Sequence, residues 1–142
     1  MNVLYKQNCS TLTEISKHFN LCDNIFLENL KKRVILKQYI EKIYYKSQRL
    51  EAWHKNNLVG LLAVYVDKNK AYITNISVIP ELNNQGIGSS LLTFLINKYP
   101  EIQTISLEVN KNNKKAINFY KKHHFKQISD NENTLLWRLD KK

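Results

Sequence analysis

A chain of 142 residues, 43% of them apolar, is one domain (1–142) able to bury a core, and it has no apolar run near the ~20 residues of a membrane span. Its net charge of +10 comes almost wholly from lysines spread along the chain, the arginines being Arg33, Arg49 and Arg138; with neither arginine-rich base readout nor aromatic platforms in a basic groove, a nucleic-acid partner is not expected, whereas an anionic ligand is favoured. Cys9 and Cys22 fit neither a metal spacing nor a disulfide framework and read as free thiols, and MNVLYKQNCS lacks a signal-peptide core, so a soluble, cytoplasmic protein is expected.

Met1 to Lys6 reads as a short first strand. Thr11 to Phe19 reads as a helix, because Thr11 and Glu14 have the spacing of a capping box and Leu12, Ile15 and Phe19 share a face. Phe26 to Lys46 carries Leu27, Leu30, Val34, Tyr39, Ile40 and Ile43 at three- and four-residue steps, which predicts one or two helices. Three strands follow, Arg49 to Lys55, Leu58 to Asp67 and Lys70 to Val78, with Asn56-Asn57 and Lys68-Asn69 as hairpin breaks. The middle run, LVGLLAVYVD, is apolar nearly throughout and predicts a central strand covered on both faces.

Pro80 stops the third strand, and Asn83-Asn84-Gln85-Gly86-Ile87-Gly88 forms a polar loop before a helix from about Ser89 to Lys98. A helix start offers unpaired N–H groups and partial positive charge, and glycines let a loop backbone approach a phosphate closely. A dinucleotide-binding fingerprint would need a third glycine and a later acidic residue, both absent here. Thr104 to Val109 is the next strand. A strand, helix and strand in succession imply a right-handed crossover, hence a parallel pair with the strand before the loop. If the two strands splay apart at their C-terminal ends, which Pro80 would assist by refusing a ladder hydrogen bond, a cleft opens between them.

Asn112 or Asn113 can cap a further helix. Asn113 and Tyr120 lie about 700° apart around it, so they project from nearly one face, with the small Ala116 leaving space between them. Lys126 to Ser129 and Thr134 to Asp140 form a closing hairpin with Trp137 in the core. His123 and His124 point apart and have no third ligand in spacing, so no metal site is expected and they read as a solvated helix end.

Two of these segments together resemble the GNAT superfamily of N-acetyltransferases. One is Val78-x-Pro80 with Asn83-Asn84-Gln85-Gly86-Ile87-Gly88-Ser89-Ser90-Leu91-Leu92; the other is Asn113-x-x-Ala116 with Phe119-Tyr120. Asn83 stands at the usual Gln/Arg position, Asn84 at a common Gly position, and His124 where a Gly is usual. The resemblance covers roughly Leu58 to Phe125. It implies the acyl-CoA N-acyltransferase fold: mixed α/β, a mostly antiparallel central sheet with one parallel splayed pair, flanked by helices.

The activity so implied is transfer of acetyl from acetyl-CoA to a primary amine of a small molecule or amino sugar, by direct attack in a ternary complex and without a metal. The alternatives are a protein or peptide N-acetyltransferase, or a non-catalytic CoA-binding or nucleic-acid-binding module of the same fold. Asn83, Asn84, Gln85, Gly86, Ile87, Gly88 and Ser89 would cradle the pyrophosphate; Ile76 and Val78 would pair with the pantetheine arm, and Asn113 and Ala116 would lie along it. Tyr120 would protonate the leaving thiolate, since a phenol with a pKa of about 10 is protonated at neutral pH and can still donate. Many members carry a Glu as general base on the strand before the loop; Thr74 and Asn75 stand there, leaving Glu108, Glu51, His54 or a water-relayed base. The early helices would wall the acceptor pocket, with Phe26, Tyr39, Tyr44 and Tyr45 as lining candidates. The family often pairs, which makes a homodimer the oligomer to test.

Overall fold

Helical spacing in the first third of the sequence and strand alternation in the middle give two kinds of layer. The computed structural model describes residues 2–141. In it β1 (Leu4–Gln7) precedes three helices, α1 (Leu12–Asn20), α2 (Asn24–Lys31) and α3 (Leu36–Lys46). A meander of β2 (Gln48–His54), β3 (Asn57–Asp67) and β4 (Lys70–Val78) runs through a 3-10 turn at Pro80–Leu82 into α4 (Ile87–Lys98). Then come β5 (Thr104–Asn110), α5 (Lys114–Lys122), β6 (Lys126–Asp130) and β7 (Thr134–Asp140). The strands form one sheet in the order β1-β2-β3-β4-β5-β7-β6. Among the described residues β4 and β5 are parallel and the other neighbours antiparallel, so the mixed α/β expectation holds.

Several boundaries move. The first strand begins at Leu4, and Met1 lies outside the described residues. The Phe26 to Lys46 region is two helices, broken at residues 32–35. The helix after the glycine loop starts at Ile87 instead of Ser89, because Gly86 takes φ 77° and is itself the N-cap. The capping box at Thr11 forms as its spacing predicts, each partner accepting from the other's backbone N–H.

Each face of the sheet buries its own core. On one, Leu62, Ile105 and Leu107 pack with Leu91 and Leu95 of α4 and Tyr120 of α5; on the other, Leu61 and Ala63 pack with Ile15 and Phe19 of α1 and Ile43 of α3. The central strand β3 is buried on both sides through most of its length, as its apolar run predicts. Trp137 is buried in the first core. A Cβ on Gly60 would stand 2.8 Å from Ile87 Cγ2, so glycine there lets the first turn of α4 sit directly on the sheet.

Two irregularities in β4 shape the site. Its pairing with β3 skips Thr74, since Ala63 pairs Asn75 while Val64 pairs Ile73. This bulge exchanges the faces. Ala71 and Ile73 face the α4 side, and so, beyond the bulge, do Ile76 and Val78; Asn75 and Ser77 are turned toward α1. The parallel pairing of β4 with β5 ends at Ile73 and Leu107, although both strands continue. From there they splay.

Candidate functional site

The loop from Asn83 to Ser89 forms the mouth of the splay. Asn84 and Gly86 both have positive φ, 64° and 77°. From Asn84 to Ser89 no backbone N–H donates to a backbone acceptor among the described residues, and the helical ladder begins with Ser90 N–H to Gly86 O at 2.9 Å. Unpaired amides, left-handed backbone and a helix start together are features suited to an anion. Nothing lies within 4 Å of where a Gly86 Cβ would be, so the cradle is open on that side. Gly88 serves packing instead, since a Cβ there would press on the Phe119 ring at 3.3 Å and its absence lets α5 close against α4.

Below the loop, Ile79 N–H donates to Val59 O on β3 at 2.9 Å. Successive strand amides point to opposite edges. The N–H of Val78, and likewise that of Ile76, is therefore directed into the splay. An extended arm descending along β4 from Val78 would travel ~13 Å at ~3.3 Å per residue before reaching Thr74 at the base.

Tyr120 of α5 lies in the core on the α4 side of the sheet. It is 6% exposed, packs edge-on against Phe119 and Phe125, and makes no hydrogen bond through its hydroxyl among the described residues. Burial raises its pKa well above the ordinary phenol value, so the group stays protonated. Asn113, placed on the same helix face by spacing, spends its side-chain oxygen on capping α5, accepting from Ala116 N–H at 3.1 Å. At the far end of α5, His123 is not the solvated residue that the sequence suggests. Its ring lies against Phe119, and its Nε2 is 2.8 Å from Ser89 Oγ, which ties α5 to the cradle. His124 adopts φ 70°, the conformation the usual glycine would supply, at a cost of about 1–2 kcal/mol.

The opposite side of β4 carries a buried polar chain. Asn75 Nδ2 donates to Ser77 Oγ at 3.0 Å and to Leu61 O at 3.1 Å. His18 Nδ1 faces the Leu58 carbonyl at 3.0 Å and must carry the proton there, so Nε2 accepts the Ser77 hydroxyl at 2.8 Å. His18 is 1% exposed, and burial lowers its pKa to about 4 against the smaller upward pull of the Leu58 carbonyl. Cys22 Sγ lies 3.7 Å from His18 Nε2, and burial pushes its thiol up to about 12. The sequence held one signal of this arrangement: Asn75 and Ser77 alternate with the apolar Ile76 and Val78 at the end of β4.

At the base of the splay, Tyr39 reaches from α3 to donate to Thr74 O at 2.6 Å, with Thr74 Oγ1 at 3.0 Å. Burial pushes this phenol up to about 12, while the Thr74 bond and the Arg33 guanidinium pull it down. Across the splay, Glu108 accepts from Tyr72 at 3.4 Å and from Thr134 at 3.0 Å. The Tyr72 phenol is raised by burial, then by the Glu108 charge, against the opposite pull of Arg33. Of the other aromatics of the early helices, Phe26 and Tyr44 pack on the α1 to α3 core, and Tyr45 is 69% exposed.

The remaining base candidates stand apart from the splay. Glu51 is 0% exposed; it accepts from Cys9 N–H, Ser10 N–H, the Ser10 hydroxyl and Trp53 Nε1–H, and it pairs with Arg49 at 3.5 Å. His54 Nδ1 meets the Asn2 carbonyl at 2.9 Å. Among the described residues no group of three His, Cys, Asp or Glu side chains is placed to hold a metal. Two surface concavities of about 550 and 310 Å³ lie elsewhere, one beside Tyr65 and Tyr99, the other between α1 and α3.

The model of the acetyltransferase (GNAT) family matches residues 14–125. The fold is similar to that of the PaiA N-acetyltransferase from Thermoplasma acidophilum in complex with coenzyme A, at 18% identity over 99% of each chain and a TM-score of 0.75. It is similar also to the ribosomal-protein-S18-alanine N-acetyltransferase from Escherichia coli, at 16% identity over 98% of this chain and 94% of that one, with a TM-score of 0.79. A third likeness is to a GNAT family acetyltransferase from Elizabethkingia anophelis with acetyl-CoA bound, at 18% identity over 98% of each chain and a TM-score of 0.72. No curated protein matches the sequence.

Proposed function

The chain belongs to the GNAT acetyltransferase family, and on that premise we propose that it transfers acetyl from acetyl-CoA to a primary amine of a small molecule or amino sugar, by direct attack within a ternary complex. The observation that carries the reading is the run of unpaired backbone amides from Asn84 to Ser89 at the head of a splay into which Val78 N–H points. The cradle suits a pyrophosphate, Asn83 and Gln85 being the neutral side chains beside it. Ile76 and Val78 offer strand edge to a pantetheine arm. The thioester would then reach the base of the splay near Thr74.

As the amine nitrogen bonds to the acetyl carbon, an amide N–H on β4 stabilises the charge gathering on the carbonyl oxygen. The C–S bond breaks, and Tyr120 gives the departing sulfur its proton. Burial keeps that phenol in its protonated form, the form the role requires. The hydrogen bond from Tyr39 on α3 to Thr74 O crosses the α3 side of β4 at the base of the splay, which supports a small acceptor.

The test is thiol release from acetyl-CoA with glucosamine, spermidine, 2-phenylethylamine and a lysine-containing peptide, together with calorimetric binding of acetyl-CoA. Turnover on a small amine supports the proposal. Turnover on the peptide alone moves the acceptor to the protein class, and absence of acetyl-CoA binding overturns the cradle.

A further inference from the structure

One polar contact at the glycine loop comes from a different helix. Ser89 is the third residue of α4, and because Cβ bonds tilt toward a helix N-terminus, its hydroxyl leans back toward the unpaired amides of the loop. The partner of that hydroxyl is His123 at the C-cap of α5, with Nε2 at 2.8 Å from Ser89 Oγ. The ring is held by Phe119, whose centroid lies 4.6 Å away and which packs over Gly88. Packing thus sets a titratable ring one hydroxyl away from the loop amides. That hydroxyl has a single proton to give. If it donates to a bare Nε2, it offers an anion only lone pairs; if Nε2 carries a proton and donates to Oγ, the serine proton is released to a phosphate oxygen. An anion at the loop therefore favours the ring protonated at Nε2.

We infer that His123 is a positioning residue for the pyrophosphate of coenzyme A: its Nε2–H donates to Ser89 Oγ and turns the serine proton toward a phosphate oxygen, and the ring takes up a proton from solvent as the anion binds. The inference rests on the acetyl-transfer reading, and within it on the cradle at Asn84 to Ser89. From α4 the ring meets the uncharged Ser89, while the charged or titratable groups acting on it, Lys122 and His124, come from its own stretch of chain. Burial lowers its pKa, and those two neighbours act in the same direction, so the ring is neutral near pH 7 in the free protein. A pyrophosphate brings negative charge to the other side of Ser89 and opposes that balance, and the C-terminal end of α5 also favours the cation. Binding and protonation then assist each other.

The experiment is calorimetric titration with 3′-dephospho-CoA, which keeps the pyrophosphate and lacks the phosphate monoester, whose own second pKa of about 6 would obscure the signal. At about pH 6.5 the binding heats of the wild type in Bis-Tris and in PIPES should differ in the sense of net proton uptake, and affinity should fall at least about threefold between about pH 6 and about pH 8. His123→Gln keeps an N–H donor without the charge, so both signals should be lost while binding remains measurable. His123→Phe keeps the packing on Phe119 and should weaken binding about tenfold, as should Ser89→Ala, and the double variant should lose no more than either alone. Equal heats in the two buffers overturn the inference on the wild type alone, whether or not a variant folds. Binding to His123→Phe within about threefold of wild type overturns it as well, as do losses that add in full in the double variant. If the wild type binds neither dephospho-CoA nor acetyl-CoA, it is the cradle reading that fails.

Discussion

The imidazole of His18 on α1 accepts the hydroxyl of Ser77 on β4 at 2.8 Å, one residue before the strand amide that points into the splay. A helix from the first fifth of the chain is thereby fastened to the strand that leads into the anion cradle, through a ring held neutral by burial.

That neutrality has a pH signature. The folded pKa of His18, about 4, lies below the value of 6.5 for a free imidazole, so folding favours the uncharged ring. Its contribution is complete above about 6.5, declines as the pH falls, and is gone below about 4, with a total on the order of 3 kcal/mol. Urea unfolding at pH 7 and pH 5 should show wild type losing stability. In His18→Gln, which keeps a donor and an acceptor, this part of the pH dependence should vanish; an unchanged pH slope would refute the assignment.

Tyr120→Phe should separate catalysis from folding. The hydroxyl has no hydrogen-bond partner among the described residues, so its removal should leave the melting temperature and acetyl-CoA affinity nearly unchanged while kcat falls by about 100-fold or more. Because burial raises the phenol, the wild-type rate should not decline as the pH passes through the ordinary tyrosine value of about 10.

Gly60→Ala should weaken cofactor binding from beneath. The new methyl would meet Ile87 Cγ2 at 2.8 Å and Leu91 Cδ1 at 3.2 Å, lifting the first turn of α4 from the sheet. Expected are a stability loss of about 1–3 kcal/mol and a lower acetyl-CoA affinity, read by thermal unfolding and calorimetry. Gly86→Ala meets nothing within 4 Å, but at φ 77° it is strained by about 1–2 kcal/mol, and its effect should fall mainly on affinity.

Glu51→Gln should behave as a structural mutation. It would strip Arg49 of its buried partner and weaken the hold on Cys9 and Ser10, costing about 3–5 kcal/mol by denaturant titration. The kcat of the fraction that folds should equal that of wild type.

The order of elements, the apolar central strand, the capping box at Thr11, the parallel crossover and the two segments that carry the family resemblance are all legible in the amino-acid sequence. Each is a local matter: periodicity, a glycine ahead of a helix, an asparagine at a helix start. Guidance is poorer where a residue's role depends on a distant partner. His123 reads as solvated until α5 lies against Ser89 of α4, and Glu51, Glu108 and His54 are equivalent candidates until the sheet buries the first, sets the second at the parting of two strands and ties the third to Asn2. The bulge at Thr74 is equally hidden, since one skipped residue leaves no trace in composition yet sends Asn75 and Ser77 to one side and Ile76 and Val78 to the other. These points are settled by the packed chain alone, because burial and pairing between residues far apart in sequence, such as His18 and Ser77, arise when the layers close and are not encoded in any short stretch.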